Sequence, residues 1–314
     1  MRETLISKIR RFSLDAGPGI RTALYLKGCP ANCFFCPEPI NISSEVEILF
    51  LTERCDFCGE CVKACANGAI IARAGIFRIK KERCLKCLEC VRRCPQKALV
   101  QIGRELELKE IIRETTSDLS FYKNSNGGIT ICGGEPLSHP QFVLELVKQL
   151  KHFGCHIIVE TCGFGAREDL LSLVENTDIF VYQIKHVNPL LHQLEAGRPF
   201  DREIENLSLL AEEGAKINIR IPMIRGFNNT LTDIGQIIKF LLSLKNKNEN
   251  IKIELFKLNF NFSDLKKEKI KIFLKKRSLS LPLIEIREVR DMFQEMNLPT
   301  EILSPRDFID VVKY

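Results

Sequence analysis

The chain has 314 residues, 45% of them apolar, and a formal charge of +6, which excludes a disordered chain and leaves room for one large α/β barrel or two ordinary domains. No apolar run approaches the roughly 18–20 residues that span a bilayer, and Met1 leads to Arg10 and Arg11 without the apolar stretch of a secretory signal, so the expectation is a cytoplasmic protein away from the membrane. Fourteen cysteines, most of them in C-x₂-C and C-x₃-C runs, point to metal binding rather than disulfides.

Six β-type runs set the rhythm, at residues 22–27, 128–132, 156–161, 179–185, 217–223 and 251–258. Each is rich in apolar or β-branched residues without strict alternation, as in strands buried on both faces. Apolar residues at helical spacing lie between them: Phe142, Leu146 and Leu150; Ile204, Leu207 and Leu210; Ile234, Ile237, Ile238 and Leu241. Repeated βα units predict a parallel sheet, as a partial barrel or a doubly wound sheet.

Directly after the first run comes Cys29-x₃-Cys33-x₂-Cys36. Three closely spaced thiolates can hold three irons of a [4Fe–4S] cubane and leave the fourth open. An open iron is what chelation of S-adenosylmethionine (SAM) by its amino and carboxylate groups requires. The alternative is a zinc site completed by a distant residue, which the other motifs do not fit.

Residues 50–103 break the βα rhythm. Cys55-x₂-Cys58-x₂-Cys61-x₃-Cys65 recurs 29 residues later as Cys84-x₂-Cys87-x₂-Cys90-x₃-Cys94-Pro95. This is the spacing of bacterial ferredoxins, where the fourth cysteine ligates the other cluster. Cys55, Cys58 and Cys61 are therefore expected to pair with Cys94, and Cys84, Cys87 and Cys90 with Cys65. The expected division is a core segment with the cluster loop (1–49), a ferredoxin-like insert with two clusters (50–103), the rest of the core (104–262) and a C-terminal helical extension (263–314). The insert is either an electron relay or structural. In the extension, Lys266, Lys267, Lys269, Lys271, Lys275 and Lys276 interleave with Ile270, Ile272, Phe273 and Leu274, a solvated amphipathic face or a docking patch for an acidic partner. Three clusters would add roughly −5 and bring the charge to about +1, which argues against steering by nucleic acid.

The third motif is Gly127-Gly128-Ile129-Thr130-Ile131-Cys132-Gly133-Gly134-Glu135-Pro136. A strand runs into a Gly-Gly-Glu-Pro turn, and two glycines let backbone come close to a ligand, at the strand edge where βα barrels bind theirs.

The run from Ile9 through Arg10-Arg11-Phe12-Ser13-Leu14-Asp15-Ala16-Gly17-Pro18-Gly19-Ile20-Arg21-Thr22, followed by Leu26-Lys27-Gly28-Cys29-Pro30, resembles the opening of the glycyl radical enzyme activating enzymes. The likeness continues through Val159-Glu160-Thr161-Cys162-Gly163, Gln183-Ile184-Lys185-His186, His192 with Gly197, and Arg220-Ile221-Pro222 with Gly226 and Asn228. It implies a partial (β/α)₆ TIM-like radical SAM barrel. It also implies reductive cleavage of SAM to a 5′-deoxyadenosyl radical, hydrogen abstraction from a glycine of a partner glycyl radical enzyme, and flavodoxin or ferredoxin as electron donor.

Carried over to matching positions, the resemblance implies that Cys29, Cys33 and Cys36 hold the SAM cluster and that Phe35 packs near the adenine; apart from the resemblance, Pro30 and Pro37 flank the cysteine loop and are expected to stiffen it. Gly133, Gly134 and Glu135 would receive the methionine amino group. Lys185 and Arg220 would sit by the SAM carboxylate and ribose, with Ile184 beside them. Glu160 and Thr161 stand where the family places a monovalent cation. The chain departs from the pattern at Ala16 for Asp, Gln183 for Asp, Asn259 for a His touching SAM, and Lys257 near a usual proline. Two other readings stay open: a radical SAM enzyme acting on a small molecule or modified peptide, and a ferredoxin-like electron carrier. Of the remaining candidates, His139, His152 and His156 read as surface or loop-end residues. His186 and His192 match family positions, and Cys132, Cys155 and Cys162 read as small buried residues.

Overall fold

The apolar runs of the sequence become the central strands of one sheet, and shorter or more polar stretches add strands at its margins. A computed structural model describes residues 4–33, 35–73, 76–197, 201–257 and 280–303. Its strands are β1 (Leu5–Ser13), β2 (Arg21–Leu26), β3 (Glu47–Phe50), β4 (Ile70–Arg73), β5 (Ile76–Ile79), β6 (Leu99–Ile102) and the short β7 (Arg104–Glu105). They continue as β8 (Gly128–Gly133), β9 (Ile157–Thr161), β10 (Ile179–Gln183), β11 (Ile217–Met223), β12 (Ile251–Lys257) and β13 (Thr300–Leu303). One sheet takes nine of these in the order β13-β12-β11-β10-β9-β8-β2-β1-β7. It is parallel from β13 to β2, and β1 and β7 join antiparallel. Among the described residues its edges, β13 and β7, do not pair, so the described sheet is an open α/β wall and not a closed barrel.

The helices are α1 (Glu60–Lys63), α2 (Glu89–Arg92), α3 (Leu108–Thr116), α4 (Leu119–Ser125), α5 (Pro140–His152), α6 (Arg167–Val174), α7 (Pro189–Ala196), α8 (Asp201–Glu212) and α9 (Leu231–Lys245), then Leu283–Glu295. The main core lies between the sheet and its helices, where Ile129, Ile157 and Ile219 meet Leu146, Leu207 and Ile234. Burying each such side chain contributes roughly 1.5–3 kcal/mol. α9 starts where Thr230 and Asp233 form a reciprocal capping box, and Asp233 also faces His186 Nε2 at 3.3 Å. One helix start is thereby tied to the end of β10.

Two expectations need correction. The strands were expected without alternation, yet in β11 Ile217, Ile219 and Ile221 face the core while Asn218 and Arg220 face the other way. In β12, Ile251, Ile253 and Leu255 face the core and Lys252, Glu254 and Phe256 face the other way. The reason is that the second face of the sheet lines a cavity, where polar and charged side chains such as Asn218, Arg220 and Glu254 take their places among apolar ones, instead of packing against helices. The stretch expected as a helical extension supplies a helix and then β13, which pairs with β12 from Ile253↔Thr300 to Phe256↔Leu303. The lysine-rich run 266–276 and Asn259 lie outside the described residues.

In residues 47–102, β3 pairs with β6 and β4 with β5, and the Phe50 and Phe77 rings stack with centroids 4.0 Å apart. Leu49, Leu51 and Ile102 pack with Ile40 and Val100 and join this segment to the core. Lys27, fully buried, reinforces the junction by donating to the Ile40 carbonyl at 2.6 Å and to Glu47 at 2.9 Å.

Candidate active site

The loop after β2 is shaped by its own backbone. Gly28 has φ +103, a region that favours glycine. Its N–H donates to the Asn41 carbonyl and that of Cys29 to the Ile42 carbonyl, both at 2.9 Å, so the chain returns beside its start. Ala31, Cys33 and Phe35 pack against Ala196, Ile224 and Phe227. The Asn32 N–H donates to the Ala196 carbonyl at 2.9 Å, which ties the loop to the end of α7. His139, expected as a loop-end residue, donates from Nε2 to the Lys27 carbonyl at 2.7 Å and braces the loop from below.

The Gly133-Gly134 turn comes close to the chain's own backbone. A Cβ on Gly133 would lie 2.6 Å from the Leu26 nitrogen, and one on Gly134 would lie 2.3 Å from the Gly28 carbonyl oxygen. Only glycine lets the end of β8 lie against the root of the cysteine loop, where Gly134 N–H donates to Leu26 and Glu135 N–H to Gly28. Glu135 is fully buried. Its carboxylate accepts from the Thr161 hydroxyl at 2.5 Å, from the Cys162 N–H at 2.8 Å and from the Leu137 N–H at 3.0 Å. The side chain therefore braces the ends of β8 and β9 and does not line the cavity.

A cavity of about 930 Å³ covers the free face of the sheet. Cys29, Cys33, Cys36, Phe35, Pro37, Gly133, Gly134, Glu160, Thr161, Gln183, Lys185 and Arg220 all line it. Ile184 is fully buried outside it, and Asn259 lies outside the described residues. Burial opposes the Lys185 charge, but Cys162, Cys33, Cys29 and Glu135 outweigh it and raise its pKa above the ordinary lysine value.

On the wall formed by β9 to β12, Gln183 Nε2 donates to Glu160, and Arg220 bridges Glu160 at 3.3 Å and Glu254 at 2.9 Å. Asn218 adds a 2.8 Å bond to Glu254. Burial works against the Arg220 charge, and the two carboxylates more than restore it. The Glu160 carboxylate is thus met by two donors of the chain itself. Asp15 accepts from Arg10 and from Ser13 Oγ, and the Ala16 carbonyl accepts from Thr130 Oγ1 at 2.7 Å.

Sequence reasoning missed Glu254, Arg10 and the cavity-facing placement of Cys132 and Cys162. A charged residue at alternate positions of an apolar strand, as in Ile251-Lys252-Ile253-Glu254-Leu255, was the signal for Glu254. Cys162 carried none, since its position depends on how β9 meets the cysteine loop. Its Sγ lies 2.8 Å from a Glu135 oxygen.

A second, small cavity is lined by Cys55, Cys58, Cys61 and Cys94, with Phe50, Phe77 and Pro95 around them. The buried Cys90 packs in one apolar cluster with Cys61, Cys65 and Cys94. Burial pushes its thiol up to about 11, and Cys84, Cys61 and Cys65 add to the rise. Among the described residues, no three His, Cys, Asp or Glu side chains close on one point as a single metal ion needs. A [4Fe–4S] cubane takes at most one thiolate at each of its four irons and so spreads its ligands more widely than a single ion does.

Among the described residues no helix is long and apolar enough to cross a membrane. The family model described as "Radical SAM superfamily" matches residues 24–241. The chain is 40% identical over 247 residues to the benzylsuccinate synthase activating enzyme of Thauera aromatica, covering 77% of this chain and 75% of that one. It is 32% identical over 243 residues to the choline trimethylamine-lyase activating enzyme of Oleidesulfovibrio alaskensis, covering 76% and 78%. Among solved structures, a radical SAM methyltransferase from Sphaerobacter thermophilus shares the fold at TM-score 0.55 and 12% identity, over 96% of this chain and 78% of that one.

Proposed function

The chain belongs to the radical SAM superfamily and, within it, to the glycyl radical enzyme activating enzymes, and from that premise we propose that it activates a partner glycyl radical enzyme with three [4Fe–4S] clusters and an electron donor of the flavodoxin or ferredoxin kind. The observation that carries the reading is the gathering of Cys29, Cys33, Cys36, Gly133, Gly134 and Lys185 around one cavity. Three thiols from one loop suit a cubane with one open iron, and the cavity is roomy enough for SAM beside it. When bound, the cluster and SAM supply one-electron cleavage of a carbon–sulfur bond and a 5′-deoxyadenosyl radical that takes a hydrogen atom from glycine.

The chain's own residues hold and shield that chemistry. Lys185, kept charged, meets a carboxylate. Gly133 and Gly134 leave backbone bare beside the cysteine loop. Phe35 and Phe227, with centroids 5.6 Å apart, wall the loop with apolar surface and keep water away. The Glu160–Arg220–Glu254 network fixes polar groups across the cavity, which lowers the cost of orienting a bound molecule. The partial (β/α)₆ barrel of the family describes this open wall, and the ferredoxin-like insert accounts for the grouping Cys55, Cys58, Cys61 and Cys94.

The test is anaerobic reconstitution, reduction and addition of SAM. Wild type is expected to release 5′-deoxyadenosine and Cys36→Ala none. Release by the variant at the wild-type rate would remove the cysteine loop from the chemistry.

A further inference from the structure

Each element in the first half of the insert recurs 29 residues on: β3 at β5, α1 at α2 and β4 at β6. The halves share cysteine spacing but not surroundings. The first half offers Leu49 and Leu51, both buried, to Ile40, Val100 and Ile102 at the junction with the core. The counterparts of Leu49, Leu51, Thr52 and Phe57 are Arg78, Lys80, Lys81 and Lys86. Residues 44–68 hold two basic and five acidic side chains, whereas the equivalent residues 73–97 hold nine basic and two acidic.

This charge faces solvent. Arg78, Lys81, Arg83 and Lys86 are exposed. Lys86 pairs with Glu45, and among the described residues Arg78, Lys80, Lys81 and Arg83 enter no ion pair. In the middle of the stretch, Leu85 is 76% exposed and Cys87 is exposed, so a cysteine-bearing loop reaches the surface there. Two equivalent halves that differ by this much charge are not explained by solubility alone.

We propose that β5 and the loop 80–86 form the docking surface for a small acidic one-electron carrier protein. This rests on the reading that the insert holds clusters. The carrier loses one electron and the cluster of the 84–90 loop gains it, with no bond formed or broken. Opposed charge speeds such encounters by tenfold to a thousandfold and loses its effect as salt rises. Redox encounters are small and charge-steered, which suits an exposed Leu85 and Ile76 on a stretch that also exposes Arg78, Lys81, Arg83 and Lys86.

The experiment uses the reconstituted holoenzyme, a reduced acidic plant-type ferredoxin as probe, and photoreduced deazaflavin as a reductant that needs no docking. Bleaching of the clusters is followed in a stopped flow. The double variant Arg78→Glu, Lys81→Glu should be reduced by ferredoxin at least about tenfold more slowly than wild type at low salt, and by deazaflavin at the same rate. The wild-type ferredoxin rate should fall steeply with salt and the variant rate should not. A salt-independent wild-type rate, or an unchanged variant, would overturn the proposal, and the wild-type series decides the matter even if the variant does not fold. Slower glycine radical formation by the deazaflavin-reduced variant would assign the patch to the glycyl radical enzyme instead and also overturn it. Wild type that accepts electrons through the patch but releases no 5′-deoxyadenosine would contradict the proposed function and leave the docking surface standing.

Discussion

Cys33 is buried against Phe35 and Ala196 in the wall of the main cavity, whereas Cys58 and Cys87 are exposed on the insert. Both regions offer thiols at short spacing, so ligand chemistry alone does not separate them. Their surroundings do. The cysteine loop faces Lys185, bare glycine backbone and a fixed polar network, as a site must that holds a reactive molecule away from water. The insert leaves Cys58 and Cys87 open to solvent and buries Cys90, with its other five cysteines in between. The comparison teaches that two sets of closely spaced thiols sit in different settings, one in the wall of a cavity and the other on a segment with exposed cysteines.

The largest effect should come from stripping one region and leaving the other. A Cys29, Cys33, Cys36 triple alanine variant is expected to fall from about 12 iron atoms per chain to about 8 and to lose all SAM cleavage. A reconstituted wild type with only about four irons would remove the insert from the comparison. Cys58→Ala or Cys87→Ala should leave SAM affinity intact and slow turnover about tenfold or more with a protein reductant. Unchanged turnover in both would make the insert structural.

A smaller effect is expected at the cavity wall. Gln183 and Arg220 already donate to Glu160, so SAM affinity should change little between potassium and tetramethylammonium buffers. Gln183→Asp places a second carboxylate at contact distance, where salt screens poorly, and should create a potassium dependence. A wild type as potassium-dependent as the variant would show that the amide completes a cation site instead of replacing it.

The smallest effect concerns stability behind the cavity. Glu203 is buried, with both carboxylate oxygens lacking a hydrogen bond among the described residues. His192 Nε2 lies 3.7 Å away. Burial raises the Glu203 carboxyl from 4.5 to about 7. The folded state then holds its proton where the unfolded chain has lost it. Stability contributed by this group is full below 4.5, falls as pH rises toward about 7 and changes no further above it. Glu203→Gln should lessen the loss of thermal stability between about pH 5 and pH 8. An identical loss in wild type and variant would mean that Glu203 ionises freely in the folded chain.

Much of this was legible beforehand, for identifiable reasons. The six central strands announced themselves through apolar runs, and the cysteine motifs through spacing that little else produces. β1 and β13 were not foreseen. The Lys8–Phe12 stretch of β1 is largely polar because that edge is partly exposed, and β13 has four residues with only Thr300 buried. The roles of Gly133, Gly134 and Glu135 were half legible. The glycines do permit a close approach, but the backbone they admit includes the chain's own root of the cysteine loop. The Glu135 carboxylate is spent on Thr161 and Cys162, contacts between residues 26 and 27 positions apart that no local pattern encodes.

The most direct test of the central claim is to follow the hydrogen atom. A partner glycyl radical enzyme carrying deuterated glycine is mixed anaerobically with the reduced, reconstituted chain and SAM. The account predicts a glycyl radical signal in electron paramagnetic resonance and deuterium in the 5′-deoxyadenosine released. Release of unlabelled 5′-deoxyadenosine without a glycyl radical would contradict it.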